Sequence, residues 1–128
     1  MNLLLDTCTF LWIVAGSSEL SRRAKQSFQD PGNRAYLSSV SVWEIALKHS
    51  LRRLKLSGPP AEFVPAQRKF HGVDPLLLDE EAALHLARLR RLHRDPFDRM
   101  LVCQAVTAGM TLMTPDPEIH RYAVRTLW

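Results

Sequence analysis

Four acidic residues of this chain, Asp6, Glu44, Asp98 and Asp116, stand where ordinary surface placement does not explain a carboxylate. Asp6 closes the apolar run NLLL, and Asp116 follows the short apolar run TLMT. At such a position an acid either caps the next helix or looks into the crevice beyond the strand ends, and either one taken alone fits both roles. Glu44 lies in VWEIALK, with Val40, Ser41, Leu47 and Lys48 three and four positions away and Trp43, Ile45 and Ala46 filling most of the remaining circumference. A helix that is apolar nearly all round is expected to be buried, and a buried carboxylate needs a cation, a hydrogen-bonding network or the lip of a cleft. The alternative is a narrow polar strip of Ser41, Glu44 and Lys48, with an ordinary surface ion pair at that spacing. Asp98 belongs to RRLHRDPFDRM, where Asp95 reads as an N-cap, Pro96 as the first helical residue and Asp98 as the third. That accounts for the helix start. It does not account for an acid on a turn shared with Leu101 and Val102, so Asp95 reads as mainly structural and Asp98 as facing a site.

If the four converge, repulsion decides what must accompany them. Two carboxylates about 4 Å apart repel by roughly 4 kcal/mol at an effective dielectric near 20, so a quartet persists only with cations or bound protons. An all-oxygen ligand set suits a hard divalent ion, Mg²⁺ or Mn²⁺, better than zinc or copper. The histidines show no ligand spacing; His93 is placed to line a phosphate path. Cys8 and Cys103 are the only cysteines and have no Cys-x-x-Cys spacing, which leaves no disulfide framework or zinc site and makes a reduced cytoplasmic setting the expectation.

Elements that hold the acids follow from periodicity. A first strand over Asn2–Asp6 leads into a helix ended by Gly16. Ser21 caps a second helix that stops at Asp30-Pro31-Gly32, and a strand follows over Ala35–Ser38. A third helix starts at Ser39 or Ser41, and a fourth at Pro59 or Pro60 that carries Phe63, Val64 and Phe70 and stops before Gly72. Val73–Leu78 predicts a strand that Pro75 confines to an edge. DEEAALHLARLRRLH predicts one long amphipathic helix, PFDRMLVCQAVTA another closed by Gly109, then the strand TLMT, a short helix near Asp116-Pro117 and a last strand in VRTLW. Alternating strands and helices predict an α/β sandwich around a mostly parallel sheet, as a single domain over residues 1–128.

With 17 Lys+Arg against 13 Asp+Glu the formal charge is +4, compatible with a polyanionic partner. Arg22, Arg23, Arg52, Arg53, Arg91, Arg94 and Arg99 are the basic groups available to hold phosphates, although a solvated basic face is the better reading of any single one. The N-terminal stretch lacks a basic leader and is interrupted by Asp6, so neither a signal peptide nor a membrane span is expected.

Four segments, LLLDTCTFLW, SSVSVWEIALK, HRDPFDRMLVCQA and TLMTPDPEIHRY, occur in an order and spacing that resemble PIN-domain nucleases, and more narrowly VapC-type toxins of prokaryotic toxin–antitoxin pairs. The resemblance spans nearly the whole chain. It implies a PIN-like α/β/α sandwich and a Mg²⁺- or Mn²⁺-dependent ribonuclease whose acidic quartet maps onto Asp6, Glu44, Asp98 and Asp116. Asp95 lies beside the quartet, and Thr7 and Thr114 match supporting hydroxyl positions. It further implies an RNA substrate, a homodimer and a small antitoxin protein laid across a groove, to which Leu11, Trp12 and Phe63 are apolar enough to contribute. Cys8, where a polar residue or histidine is frequent, and Pro115 depart from the commoner pattern, and Pro115 bears on the last loop and so on Asp116.

Other readings are a PIN nuclease of RNA maturation or decay, distinguished by the absence of a neighbouring antitoxin frame, and a catalytically silent binding module. A receiver-like signalling domain also sets acids around Mg²⁺, but expects adjacent acids after its first strand and a lysine near its last. Here those places read Asp6-Thr7 and Thr114-Pro115.

Overall fold

The computed structural model describes all residues, Met1–Trp128. Five strands, β1 (Asn2–Leu5), β2 (Arg34–Ser38), β3 (Val73–Leu76), β4 (Thr111–Met113) and β5 (Thr126–Leu127), form one sheet in the order β3-β2-β1-β4-β5. Every pairing is parallel. Parallel strands are buried on both faces, which is why β1 is a continuous apolar run rather than an alternating one. Leu3 and Leu5 enter one core with Phe10, Leu37, Ile45 and Val64, while Leu4 enters the other with Leu101, Val102, Leu112 and Ile119.

The first layer holds α1 (Thr7–Ala15), α2 (Arg22–Gln29), α3 (Ser39–Ser50) and α4 (Pro60–Phe70); the second is led by α6 (Pro96–Ala108), against which α5 (Glu80–His85) packs. The sandwich is therefore α/β/α with an all-parallel sheet. Chain order reverses at β1, whose neighbours are β2 on one side and β4 on the other. The crevice beyond the carboxyl ends of β1 and β4 is where such sheets bind ligands.

Caps set the helix starts as the sequence predicts. Ser21 Oγ accepts the Ala24 amide, and Asp95 Oδ1 accepts the amides of Phe97 and Asp98 at 2.9 and 3.1 Å. Pro75 sits in β3, an edge strand. At the C-terminus of α3 the Arg53 amide reaches the Lys48 carbonyl at 2.8 Å and the Arg52 amide that of His49, a Schellman turn that puts Arg52 at φ 58. A side chain costs energy in this region, so Arg52→Gly is expected to raise stability by about 0.5–1 kcal/mol after the looser unfolded chain is counted, read as a higher urea midpoint at unchanged m-value.

Four expectations require correction. The helix predicted over DEEAALHLARLRRLH ends at His85, tightens to a 3-10 turn over Leu86–Arg88 and becomes extended at Leu89. Leu89 and Leu92 leave the helical stripe to pack on the second core, and the Leu92 carbonyl accepts Arg121 Nη1 at 3.0 Å, so tertiary contacts override the local preference. Nor is α3 buried all round: Ser41, Glu44 and Ile45 point inward, but Trp43 is 59% exposed and rests edge-on against Phe97 at 4.9 Å. The third strand stops at Leu76 instead of Leu78, and the helix predicted near Asp116-Pro117 is only a 3-10 turn, Ile119–Arg121.

Candidate active site

Asp6 ends β1 and caps α1: its Oδ1 accepts the Thr9 amide at 2.8 Å and the Cys8 thiol at 3.3 Å. The Asp6 amide donates to the Met113 carbonyl at 3.3 Å, and Thr9 Oγ1 to the same carbonyl at 3.1 Å. These bonds stitch the end of β1 to the end of β4. Just beyond β4, the wholly buried Thr114 hydroxyl accepts the Asp116 amide at 3.1 Å, and Asp116 Oδ1 accepts the Glu118 amide at 2.9 Å. The loop that follows Pro115 is thus a hydrogen-bonded turn that keeps the fourth acid beside the sheet.

Glu44 is 5% exposed although its helix is not, and Thr7 Oγ1 donates to its Oε1 at 2.6 Å. Lys48 Nζ donates to Oε2. The ion pair anticipated as a surface alternative does form, but around a buried carboxylate. Lys48 has its pKa raised, first by the hydrogen bond to Glu44, while burial pulls the other way and the charges of Glu44, Asp95 and Asp98 add to the increase. Thr7→Val keeps the shape and removes the donor; if the cluster cuts RNA as the sequence resemblance implies, the variant is expected to slow cleavage about 10–100-fold by loosening Glu44, checked by single-turnover rates at saturating metal.

Asp98 sits in the first turn of α6. Burial, followed by the charges of Asp95, Asp6, Asp116 and Glu44, pushes its carboxyl from the ordinary 3.8 up to about 8. Each of the other four carboxylates is therefore close enough to act on Asp98. Its Oδ2 lies 3.5 Å from His93 Nε2, and His93 Nδ1 is 2.7 Å from the Tyr122 hydroxyl. With the phenol donating to Nδ1, Nε2 carries the proton and faces the carboxylate without closing a hydrogen bond to it. Cys8 is pushed up too, chiefly by burial and then by Asp6 and Asp98.

The structure thus brings together Asp6, Glu44, Asp95, Asp98 and Asp116 with Thr7 and Thr114 in support. It does not bring the arginines into them: Arg22, Arg23, Arg52, Arg53, Arg91 and Arg94 are exposed and form no ion pair with an acid. Arg99, on α6 beside Asp98, is half-buried, and its Nε has no partner. Sequence reasoning underrated Lys48, whose i+4 spacing from Glu44 was a legible signal, and placed His93 on a phosphate path rather than against Asp98. Tyr122 carries no local signal at all. A mostly apolar cleft of about 430 Å³ between α3, α4 and β3, lined by Val42, Ala46 and Val64, contains none of these acids.

No three His, Cys, Asp or Glu side chains close on one point tightly enough to chelate an ion in this arrangement. Their chemistry nonetheless fits a hard cation: the ligands are carboxylates, burial and mutual repulsion push the Asp98 carboxyl above its ordinary range, and Asp6, Asp98 and Asp116 each keep at least one oxygen without a hydrogen-bond partner.

A PIN domain family model matches residues 3–125. Ribonuclease VapC16 from Mycobacterium tuberculosis is 37% identical over 99 residues, which is 77% of this chain and 66% of that protein, so the chain spans just under two thirds of this relative. VapBC2 from Rickettsia felis, bound to a promoter DNA fragment, superposes with a TM-score of 0.75 at 12% identity over 99% of this chain and 98% of that one. DNA-bound VapBC from Salmonella typhimurium gives 0.72 at 19% over 99% and 97%. With a family match from the first strand to the threshold of the last, and an acidic crevice at the reversal of strand order, this chain belongs to the PIN-domain family.

Proposed function

We propose that this protein is a divalent-metal-dependent endoribonuclease, acting in the cytoplasm as the toxin of a toxin–antitoxin pair, with residues 1–128 forming one PIN domain. The observation that carries this is the crowding of Asp6, Glu44, Asp95 and Asp116 around Asp98 at the ends of β1 and β4. The likeness to a protein named as a ribonuclease supports it.

Asp6, Asp98 and Asp116 would hold the cation, Mg²⁺ or Mn²⁺, with Glu44 ligating it or orienting the attacking water. Once bound, the cation supplies positive charge against the scissile phosphate and makes a nearby water more acidic. The protein does the rest by positioning. Thr7 fixes Glu44 and Thr114 fixes the Asp116 loop, while His93, held by Tyr122, lies 3.5 Å from Asp98. Asp95 acts mainly as the cap that starts α6. The exposed arginines at 22, 23, 52, 53, 91 and 94, together with half-buried Arg99, attract the RNA backbone, so affinity falls as salt rises. No side-chain nucleophile is needed, and products carry 5′-phosphate and 3′-hydroxyl ends.

The partners proposed are RNA, a second copy of the chain and a small antitoxin. Leu11 and Phe63, half-buried against the first core, and Trp12, 5.8 Å from Trp128, border the face an antitoxin would cover. The test is cleavage of a labelled RNA pool by antitoxin-free protein with Mg²⁺, Mn²⁺ or EDTA. Cleavage with either metal and none with EDTA is expected; a folded sample that cuts no RNA class under any condition would set the reading aside.

A further inference from the structure

Among the five clustered acids, Glu44 alone has both oxygens engaged. Thr7 occupies Oε1 and Lys48 occupies Oε2, whereas Asp6, Asp95 and Asp116 accept through Oδ1 only and Asp98 approaches His93 through Oδ2 only. Glu44 is also 5% exposed, while Lys48 reaches it from a side chain that is 46% exposed. The ammonium therefore occupies one oxygen of a carboxylate whose other oxygen is fixed by a buried hydroxyl. A metal ion ligated by Glu44 would have to displace this ammonium or share an oxygen with it, and two cations on one carboxylate repel each other.

We propose that Lys48 is a positioning residue that withholds Glu44 from direct metal ligation and so fixes it as the acid that orients the attacking water. This rests on the nuclease reading above. Asp6, Asp98 and Asp116, with free oxygens, form the ligating set. Lys48 supplies a resident positive charge on the Glu44 side of the cluster, where the carboxylates of Asp95 and Asp98 also act on it. The division of labour follows from chemistry: an acid that must accept a proton from water serves better outside the coordination sphere than as a ligand whose basicity the metal has already reduced.

The test counts free Mn²⁺ by electron paramagnetic resonance during titration of the full chain without RNA, for wild type, Lys48→Met, Lys48→Arg, Glu44→Gln and the double variant Lys48→Met/Glu44→Gln. Lys48→Met is expected to bind Mn²⁺ about five- to tenfold more tightly, the size of one screened unit charge acting on a divalent ion combined with a newly available ligand. Lys48→Arg should bind as wild type does, and the gain should vanish when Glu44 is Gln. Single-turnover cleavage at saturating Mn²⁺ should fall in Lys48→Met and recover in Lys48→Arg, with KM little changed. Unchanged or weaker Mn²⁺ binding by a folded Lys48→Met overturns the proposal, as does a gain that persists without Glu44, since the ammonium would then act by charge alone. A wild type that binds and cleaves normally while these variants misbehave leaves the nuclease reading standing; a wild type that binds no Mn²⁺ brings down both.

Discussion

Asp98→Asn is expected to make the metal-free protein more stable and to reduce RNA cleavage by at least about a thousandfold, the equivalent of several kcal/mol of lost charge stabilisation. The stability gain comes from the burial of this carboxyl and then from the like charges around it. Its pKa in the folded protein is raised from 3.8 to about 8, so between those values the unfolded chain releases a proton that the folded chain retains. Stability contributed by that retained proton is therefore fully present near pH 4 and is lost as pH rises towards 8, by at most about 1.4 kcal/mol per pH unit. Asn holds no such proton. Urea unfolding in EDTA from pH 5 to pH 8 should show the wild type losing ground steadily relative to Asp98→Asn; parallel pH profiles would mean that the acids do not crowd Asp98. Metal affinity should run the opposite way and strengthen over the same range, because the cation must displace the proton.

Asp6→Asn gives the complementary result: loss of activity at almost constant stability. Asp6 serves two roles through two oxygens, since Oδ1 caps α1 and Oδ2 has no partner. Asn is as good an N-cap as Asp, so the helix start survives and unfolding should shift by only a few tenths of a kcal/mol. What disappears is a negative oxygen at the end of β1. Cleavage is expected to fall about a thousandfold, and Mn²⁺ binding to weaken by at least tenfold. A variant that unfolds earlier by more than about 1 kcal/mol would show that the cap depends on the charge itself.

The two acids also illustrate what could be read from the chain. Asp6 and Asp116 were legible because each follows a short apolar strand in an alternating strand–helix sequence, and the sheet rule places such residues in one crevice once their strands are neighbours. Asp95 was legible as a cap through Pro96. Glu44 was selected for a partly mistaken reason: its helix is not buried all round, and Trp43 lies outside. The conclusion survived because Ser41, Glu44 and Ile45 share the inward face. The end of α5 was not legible, since Leu89 and Leu92 fit a helical period and only the second core reveals that they depart from it. For His93 and Tyr122, 29 residues apart, nothing local connects them. Contacts of this kind are set by packing between layers, which periodicity does not encode.

The bond from the Asp6 amide to the Met113 carbonyl has a temporal consequence. β1 is the first strand to be synthesised, yet one of its two neighbours, β4, is almost the last. Chains emerge from the ribosome at about 5–20 residues per second, so Asp6 spends seconds on a strand whose flank is unfilled and whose fellow acid, Asp116, has not been made. A half-made chain can pair β1 with β2 and β2 with β3 but has no crevice and no quartet. If the finished protein cuts RNA, the message and ribosome that produce it are spared until β4 and the Asp116 loop have been made, a delay imposed by strand order alone.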